Sequence, residues 1–139
     1  MAGQKKIGLI CSTFDLLHAG HVAFIEQAAA DCDELWACLQ TGIHDRPEKN
    51  QPVQTVYERW RQLNALRDVS VIIPYESEND LLSVVSTIPN HTRYVGSEYK
   101  GLPVTGAHFA DEVVYIPRQH GYSTSELRRR VADAEKEKQ

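Results

Sequence analysis

The sequence predicts a single α/β domain in which a five-stranded, mainly parallel sheet is covered by helices on both faces. Short apolar runs alternate with amphipathic segments along the chain, a pattern typical of buried parallel strands joined by crossover helices. The chain has 139 residues, of which 42% are hydrophobic, and this length is enough for one core and too short for two. We therefore expect one three-layer sandwich over residues 1–131, followed by a frayed polar tail over residues 132–139.

The predicted strands are the apolar runs, which lie at about residues 5–11, 35–39, 69–73, 93–95 and 112–116. Capping signatures predict where the later helices begin. They are Thr55-Val-Tyr-Glu58, the weaker Ser77-Glu-Asn-Asp80, and Ser123-Thr-Ser-Glu126. We expect a first helix that ends near Asp31, a third strand stopped by Pro74, and one short helical turn within residues 102–111.

The segment from Thr41 to Gln54 is polar and contains Pro47 and Pro52, so it predicts a loop without regular structure. Loops of this length in a compact domain are usually functional. In a parallel α/β sheet, ligands bind at the carboxyl ends of the strands, where the strand order reverses. The loop shares that edge with the turn after the first strand and with the segments that begin at Gly96 and Pro117, so we expect the site there.

Charge and cysteine content exclude several classes of protein. The formal net charge of -4 disfavours a nucleic-acid binder with a broad basic face but allows a small cationic pocket. The cysteines Cys11, Cys32 and Cys38 have no C-x-x-C spacing and are interpreted as structural free thiols. There is no signal-peptide core and no apolar run of about 18 residues. We expect a cytoplasmic protein without nucleic-acid or membrane partners.

The turn after the first strand, Ser12-Thr-Phe-Asp-Leu-Leu-His-Ala-Gly-His21, carries the strongest functional signal. If the helix begins near Ala19, His18 and His21 lie on one side of its first turn. A helix N-terminus offers unpaired N–H groups and about half a positive charge, which favours an anion such as phosphate. The turn is neither a dinucleotide fingerprint nor a P-loop, and no Ser or Cys is paired with an activating base. Phosphoryl or nucleotidyl transfer, in which the protein positions groups and stabilises charge, fits these residues.

Other interpretations of the two histidines stay open. One is a helix-capping histidine beside a surface histidine. Another is a zinc site, for which the sequence offers no convincing third ligand. A second turn, Arg118-Gln-His-Gly-Tyr-Ser-Thr-Ser125, favours phosphate because it leads into a capped helix with hydroxyls and an upstream arginine. A plain capping box with a chance arginine also explains this turn, but two such helix starts at one sheet edge fit a bound triphosphate.

The two turns resemble the signatures of the cytidylyltransferase-like nucleotidyltransferases. The segment from Thr13 to His21 is similar to the H-x-G-H motif of that family, and Arg118-x-x-Gly-Tyr-Ser-Thr-Ser125 is similar to its R-x-x-G-I-S-T-T motif. The resemblance extends from about Ile7 to Val131 and is strongest to the bacterial members that act on glycerol 3-phosphate. It implies a Rossmann-like fold. It also implies transfer of CMP from CTP to a small phosphate ester, best glycerol 3-phosphate, by direct in-line attack with release of pyrophosphate.

The resemblance implies roles for individual residues. His18 and His21 are expected to stabilise the α-phosphorus, with Arg118 and Lys49 completing the catalytic set. The implied nucleotide site contains both histidines together with Thr13, Phe14, Gly20, Arg67, Gly96, Arg118, Gly121, Tyr122, Ser123, Thr124 and Ser125. Lys49 and Asp15 are assigned to the acceptor, although Lys49 also fits an ordinary surface lysine. Mg²⁺ carried by the triphosphate and a homodimer are further expectations.

Departures from the family pattern concern mainly the acceptor. Ser12 replaces a usual glycine, Tyr122 a usual isoleucine and Ser97 a frequent aspartate. The segment Tyr75-Glu-Ser-Glu78 is acidic where the glycerol-phosphate enzymes carry a lysine. Another acceptor (phosphoethanolamine or a sugar phosphate) or ATP as donor therefore stays open. A non-catalytic nucleotide sensor is the alternative of another class, and the retained histidines and hydroxyl turn argue against it.

Overall fold

The computed structural model describes residues 4–42 and 51–138, which form a five-stranded sheet with helices on both faces. The strands are β1 (Ile7–Ser12), β2 (Glu34–Gln40), β3 (Val71–Tyr75), β4 (His91–Gly96) and β5 (Glu112–Ile116). Their order is β3-β2-β1-β4-β5, and all neighbouring strands are parallel. The chain reverses its direction across the sheet at β1, so the switch point lies between the ends of β1 and β4. The predicted Rossmann-like α/β fold is confirmed.

The described residues also form four helices and two short 3₁₀ turns. They are α1 (Ala19–Ala30), α2 (Val56–Asn64), α3 (Glu78–Ser86), α4 (Thr124–Glu137), and the turns Ser97–Tyr99 and Ala107–Phe109. Thr55, Ser77 and Ser123 each accept a hydrogen bond from the backbone N–H three residues on, as the capping signatures predict. None of the helices in the described ranges is both long and apolar enough to cross a membrane.

Two apolar clusters cover the two faces of the sheet. On the face packed by α1 and α2, the cluster contains Ile10, Phe14, Ile25, Ala28, Leu35, Ala37, Leu39, Leu63, Tyr94 and Ile116. On the face packed by α3, it contains Leu9, Cys38, Tyr75, Leu81, Val85 and Ile88. Side chains alternate along a strand, so neighbours such as Leu9 and Ile10 point to opposite sides. We call these sides the α1 face and the α3 face.

Two element boundaries differ from those the sequence predicts. Pro74 lies inside β3, opposite Leu39, instead of ending it. β3 is an edge strand, and a proline is tolerated at an edge because the missing N–H faces solvent. Helix α4 continues to Glu137, through residues predicted to be frayed. These residues are exposed, but Ala, Glu and Lys are strong helix formers.

Candidate active site

A cleft opens at the carboxyl edge of the sheet, beyond the ends of β1, β4 and β5. Its volume is about 590 Å³, which is typical of small-molecule sites. The turn after β1, the segment at Gly96 and the turn into α4 all line it. These three of the four segments that the sequence places at this edge therefore do meet there, whereas residues 43–50 of the loop between Thr41 and Gln54 lie outside the described residues.

The cleft extends onto both faces of the sheet. On the α1 face it is lined by His18, His21 and Thr124, and we call this part the histidine lobe. On the α3 face it is lined by Cys11, Glu78, Leu81, Arg93, Val104 and Thr105, and we call this part the arginine lobe. A ligand that fills the cleft therefore reaches across the ends of the central strands.

His18 and His21 cap the start of α1 reciprocally. His18 Nδ1 accepts a hydrogen bond from the backbone N–H of Gly20 at 3.0 Å. His21 Nδ1 accepts one from the backbone N–H of His18 at 3.1 Å. With both Nδ1 atoms acting as acceptors, the proton of each neutral ring resides on Nε2. The capping role thus fixes the tautomer and leaves each ring one Nε2–H to donate.

A side-chain hydrogen bond joins the starts of two helices. His18 Nε2 lies 3.2 Å from Thr124 Oγ1, and with the proton on Nε2 the hydroxyl is the acceptor. Thr124 is the first residue of α4, whose N-cap is Ser123. The positive ends of α1 and α4 consequently meet in one cleft, which is a favourable arrangement for a ligand with several negative charges.

The electrostatics keep the histidines neutral in the free protein. Burial lowers the pKa of His21 to about 4, with a smaller effect from His18 and an opposing one from Asp15. Burial also lowers the pKa of His18, and nearby His120 and Arg118 act in the same direction. Both rings are therefore neutral N–H donors at neutral pH, and a bound anion would raise both pKa values.

Gly20 allows two histidine rings to approach the helix start. A Cβ at Gly20 would lie 2.8 Å from His18 Cε1 and 2.9 Å from His120 Cε1, so a side chain there displaces a ring. His120 Nδ1 accepts from the backbone N–H of Tyr122 at 3.1 Å, and the two rings stack with centroids 5.3 Å apart. His120 lines the cleft but is absent from the predicted site. Its position between Arg118 and Gly121 in the second motif is the signal that could have found it.

Arg118 stands at the exposed side of the cleft, opposite Glu98. Its Nη2 lies 3.5 Å from Glu98 Oε1, and both side chains are 49% exposed, so this ion pair contributes little to stability. A Cβ at Gly96 would lie 2.5 Å from Glu98 Oε2, so Gly96 makes room for that carboxylate. A phosphate in the cleft would compete with Glu98 for Arg118.

Asp15 is buried beside the histidines and holds the returning chain. Its Oδ2 accepts from the backbone N–H of Val53 at 2.8 Å, and its Oδ1 accepts from that of Gln54 at 3.0 Å. Each carboxylate oxygen thus already has a backbone partner. This arrangement anchors the segment that precedes α2 at the edge of the cleft.

Arg59, on α2, is a second anchor below the cleft and is 1% exposed. Its guanidinium donates to four backbone carbonyls at 2.6 to 3.2 Å, those of Thr13, Gln40, Thr41 and Gln54. The bonds tie the turn after β1 to the end of β2 and to the start of α2. The position of the histidine turn therefore depends on this buried cation.

Most of the predicted site residues line the cleft. They are Thr13, Phe14, Asp15, His18, Gly20, His21, Gly96, Arg118, Tyr122, Ser123, Thr124 and Ser125. Gly121 lies in the same turn, between the cleft residues His120 and Tyr122. Lys49 falls outside the described residues.

Arg67 is not part of the cleft, which corrects its assignment to the nucleotide site. It lies between α2 and β3, at the amino edge of the sheet and away from the strand ends that form the cleft. Its side chain is 88% exposed and pairs with Asp68 at 3.9 Å. The second motif and the histidine turn lie at the opposite edge, apart from this side chain.

The comparison with protein families decides the assignment of the chain. Residues 9–130 match the family described as Cytidylyltransferase-like. The chain belongs to this family. Because the match spans both turns that carry the site, the resemblance to the family is confirmed, and the fold and family are those of a nucleotidyltransferase. The curated relatives described below are HldE proteins and not the members that act on glycerol 3-phosphate, which the motifs resemble most.

The chain is similar to curated proteins named HldE. The chain is 32% identical over 120 residues to the bifunctional protein HldE of Azorhizobium caulinodans, covering 82% of this chain and 25% of that protein. It is 28% identical over 134 residues to the HldE of Aliarcobacter butzleri, covering 95% of this chain and 28% of that protein. The chain thus spans about a quarter of the length of these curated relatives.

Two solved structures share the fold. A lipopolysaccharide core biosynthesis protein from Thermoplasma volcanium superposes with a TM-score of 0.64 at 18% identity. The superposition covers 84% of this chain and 100% of that chain. A nicotinate-nucleotide adenylyltransferase from Vibrio parahaemolyticus superposes with a TM-score of 0.56 at 14% identity, covering 94% and 89% of the two chains. At these identities the likeness establishes the architecture.

Proposed function

We propose that the chain transfers the CMP unit of CTP to a small phosphate ester and releases pyrophosphate. The observation that carries the proposal is the pair of Nε2–H donors of His18 and His21, held by backbone bonds at the start of α1 and joined to the start of α4 through Thr124. Family membership supports nucleotidyl transfer. Glycerol 3-phosphate is the first acceptor to test, because the motifs resemble most the members that use it.

The proposed reaction runs through the histidine lobe. The triphosphate lies between the two helix starts, with Arg118 and the hydroxyls of Ser123 and Thr124 on its outer phosphates. An oxygen of the acceptor phosphate attacks the α-phosphorus in line, a new P–O bond forms, and the bond to the β-phosphate oxygen breaks. Negative charge grows on the non-bridging α-oxygens. The Nε2–H of His21 donates to them, and the Nε2–H of His18 does so in place of its bond to Thr124 Oγ1. Each such donor typically lowers the barrier by about 2.7–4 kcal/mol.

The proposal also includes the acceptor residues, Mg²⁺ and a homodimer. Lys49 and Asp15 are proposed to serve the acceptor, Asp15 through the chain segment that it anchors. Mg²⁺ accompanies the triphosphate and is coordinated by its phosphate oxygens. In the described ranges, no group of three His, Cys, Asp or Glu side chains is arranged to hold a metal ion. A homodimer is also proposed, and light scattering of the purified protein tests it.

Pyrophosphate release tests the proposed function. The protein is incubated with Mg²⁺, one nucleoside triphosphate at a time, and a set of phosphorylated alcohols that includes glycerol 3-phosphate, phosphoethanolamine and sugar phosphates. The expected result is release that requires both CTP and an acceptor. Release with ATP instead would keep the chemistry and change the donor. Nucleotide binding without release for any pair would contradict the proposal and favour a nucleotide sensor.

A further inference from the structure

The arginine lobe contains a buried cation that the proposed donor chemistry does not use. Arg93 lies in β4, opposite Leu9 of β1, and Leu9 belongs to the cluster on the α3 face. Its neighbour Tyr94 belongs to the cluster on the α1 face. Because side chains alternate along a strand, Arg93 points away from the histidine lobe and into the part of the cleft next to α3.

Arg93 is only 5% exposed, yet the protein satisfies little of its hydrogen-bonding capacity. Within the described part of the chain, its guanidinium makes one hydrogen bond, from Nη1 to the carbonyl oxygen of Thr105 at 2.8 Å. An arginine carries five N–H donors in a planar fork. Burying a charge is costly unless it is paired and hydrogen-bonded. Most of its donors thus remain for a ligand.

In the described ranges Arg93 has no ion-pair partner, because no carboxylate oxygen lies within 4.0 Å of its guanidinium nitrogens. Glu78 lines the same lobe but lies beyond this distance. The other lining groups are the Cys11 thiol, the Thr105 backbone and the apolar side chains of Leu81 and Val104. Arg93 therefore places a permanent positive charge in the lobe, and its guanidinium is the group there to which a small planar anion can bind.

We propose that the arginine lobe binds a carboxylate of the acceptor, held in a fork by the Nε–H and Nη2–H groups of Arg93. This inference rests on the proposed function and narrows its acceptor. The phosphate of the acceptor meets the α-phosphorus in the histidine lobe, and the carboxylate extends across the strand ends to Arg93. The acceptor class is thus a phosphorylated hydroxy acid. A guanidinium matches a planar carboxylate bidentately, and it would discriminate against a neutral hydroxymethyl group.

The test compares two acceptors that differ at one carbon, 3-phosphoglycerate and glycerol 3-phosphate. The wild-type kcat/KM is expected to be at least about tenfold higher for 3-phosphoglycerate, since hydrogen bonds to charged groups discriminate by that order. In Arg93→Gln the preference should fall to near unity through a higher KM for 3-phosphoglycerate, while the KM for CTP stays unchanged. Arg93→Lys should keep part of the preference.

Arg93→Lys keeps the charge and removes the fork that contacts Thr105, so the two variants together separate the loss of charge from the loss of that loop contact. Arg61→Gln, on the exposed side of α2, is the matched control and should leave both acceptors unaffected. Equal kcat/KM for the two acceptors in the wild type, or a proportional loss for both in Arg93→Gln, would overturn the inference while leaving the transferase function in place.

Calorimetry with a non-hydrolysable CTP analogue provides a second readout that does not need turnover. Tighter binding of 3-phosphoglycerate than of glycerol 3-phosphate, lost in Arg93→Gln, supports the carboxylate site even if no pyrophosphate is released. In that case the proposed function fails and the site stands. Binding of neither compound, together with transfer to neither, overturns the inference.

Discussion

The two lobes of the cleft differ in how they present positive charge. The histidine lobe offers neutral imidazoles at helix starts, and burial lowers the pKa of His21 to about 4. The arginine lobe offers a permanent cation within a strand, 5% exposed and bonded to one carbonyl, that of Thr105. Neutral donors interact most strongly when negative charge grows during the reaction. A permanent cation binds an anion equally in the ground state and in the transition state.

Because of this difference, changes in the two lobes should affect different kinetic parameters. Loss of a donor that acts only in the transition state lowers kcat, whereas loss of uniform binding raises KM. The histidine lobe should therefore control turnover, and the arginine lobe should control which acceptor is used.

The largest effect is expected from the histidines themselves. His18→Ala and His21→Ala should each lower kcat by about 10²–10³, because each removes one donor to the α-phosphate oxygens. The KM for CTP should change much less. Stopped-flow or coupled measurement of pyrophosphate release gives both parameters.

His108→Ala is the control for these variants, since His108 is exposed and does not line the cleft. It should leave kcat unchanged. Near-normal turnover in both His18→Ala and His21→Ala would show that the rings serve only to cap α1, and the comparison between the lobes would then lose its basis.

The next largest effect concerns a second buried arginine, which contrasts with Arg93. Arg59 donates to four backbone carbonyls, whereas Arg93 donates to one, that of Thr105. Arg59→Met should lower the free energy of unfolding by about 3 kcal/mol, since buried carbonyls lose their partners. Arg61 lies on the exposed side of the same helix. Arg61→Met should change the free energy of unfolding by less than about 0.5 kcal/mol. Urea unfolding of both variants measures the difference, and equal values would mean that Arg59 is not an anchor.

The difference between the histidine lobe and the arginine lobe also shows which parts of the fold and site the sequence predicts. The strands, helices and caps were predictable because apolar periodicity and capping residues are local signals. His18, His21 and Thr124 were predictable because both motifs start helices at one edge. Arg93 carries no local signal, since its burial and its free donors depend on the register of β4 with β1.

Arg67 shows the converse limitation. The resemblance to a family arginine predicts a place for it in the site, but its position before β3 puts it at the other edge of the sheet. Pro74 likewise lies inside β3 because that strand is at the edge of the sheet, a position set by tertiary topology.

The pH dependence of stability separates the neutral histidines from the permanent cation. Because the folded pKa of His21 is about 4 and the unfolded value is about 6.5, the unfolded state binds more protons between these values. The free energy of unfolding should therefore fall as the pH falls through this window, by about 2–3 kcal/mol from His21. His18 contributes in the same direction.

His21→Asn tests this origin, because the Asn oxygen can accept the His18 N–H in place of Nδ1 and does not titrate. Its unfolding free energy should fall less steeply between about pH 6.5 and pH 4. Arg93→Gln should keep the wild-type slope, since it removes a charge that is constant over this range. Parallel curves for wild type and His21→Asn would contradict the assignment of a depressed pKa to this ring.

The smallest effect is expected at the exposed side of the histidine lobe. Arg118→Ala should weaken CTP binding by about tenfold, the loss typical of a partly exposed charged contact to phosphate. The loss should diminish at high salt, because Arg118 is 49% exposed and exposed charges are screened.

Glu98→Gln should act in the opposite direction, since it removes the carboxylate that competes for Arg118. Calorimetric titration of CTP at two salt concentrations distinguishes these outcomes. Unchanged affinity in Arg118→Ala would assign the triphosphate to the two helix starts alone, and the cationic side chains of the cleft would then serve the acceptor rather than the nucleotide.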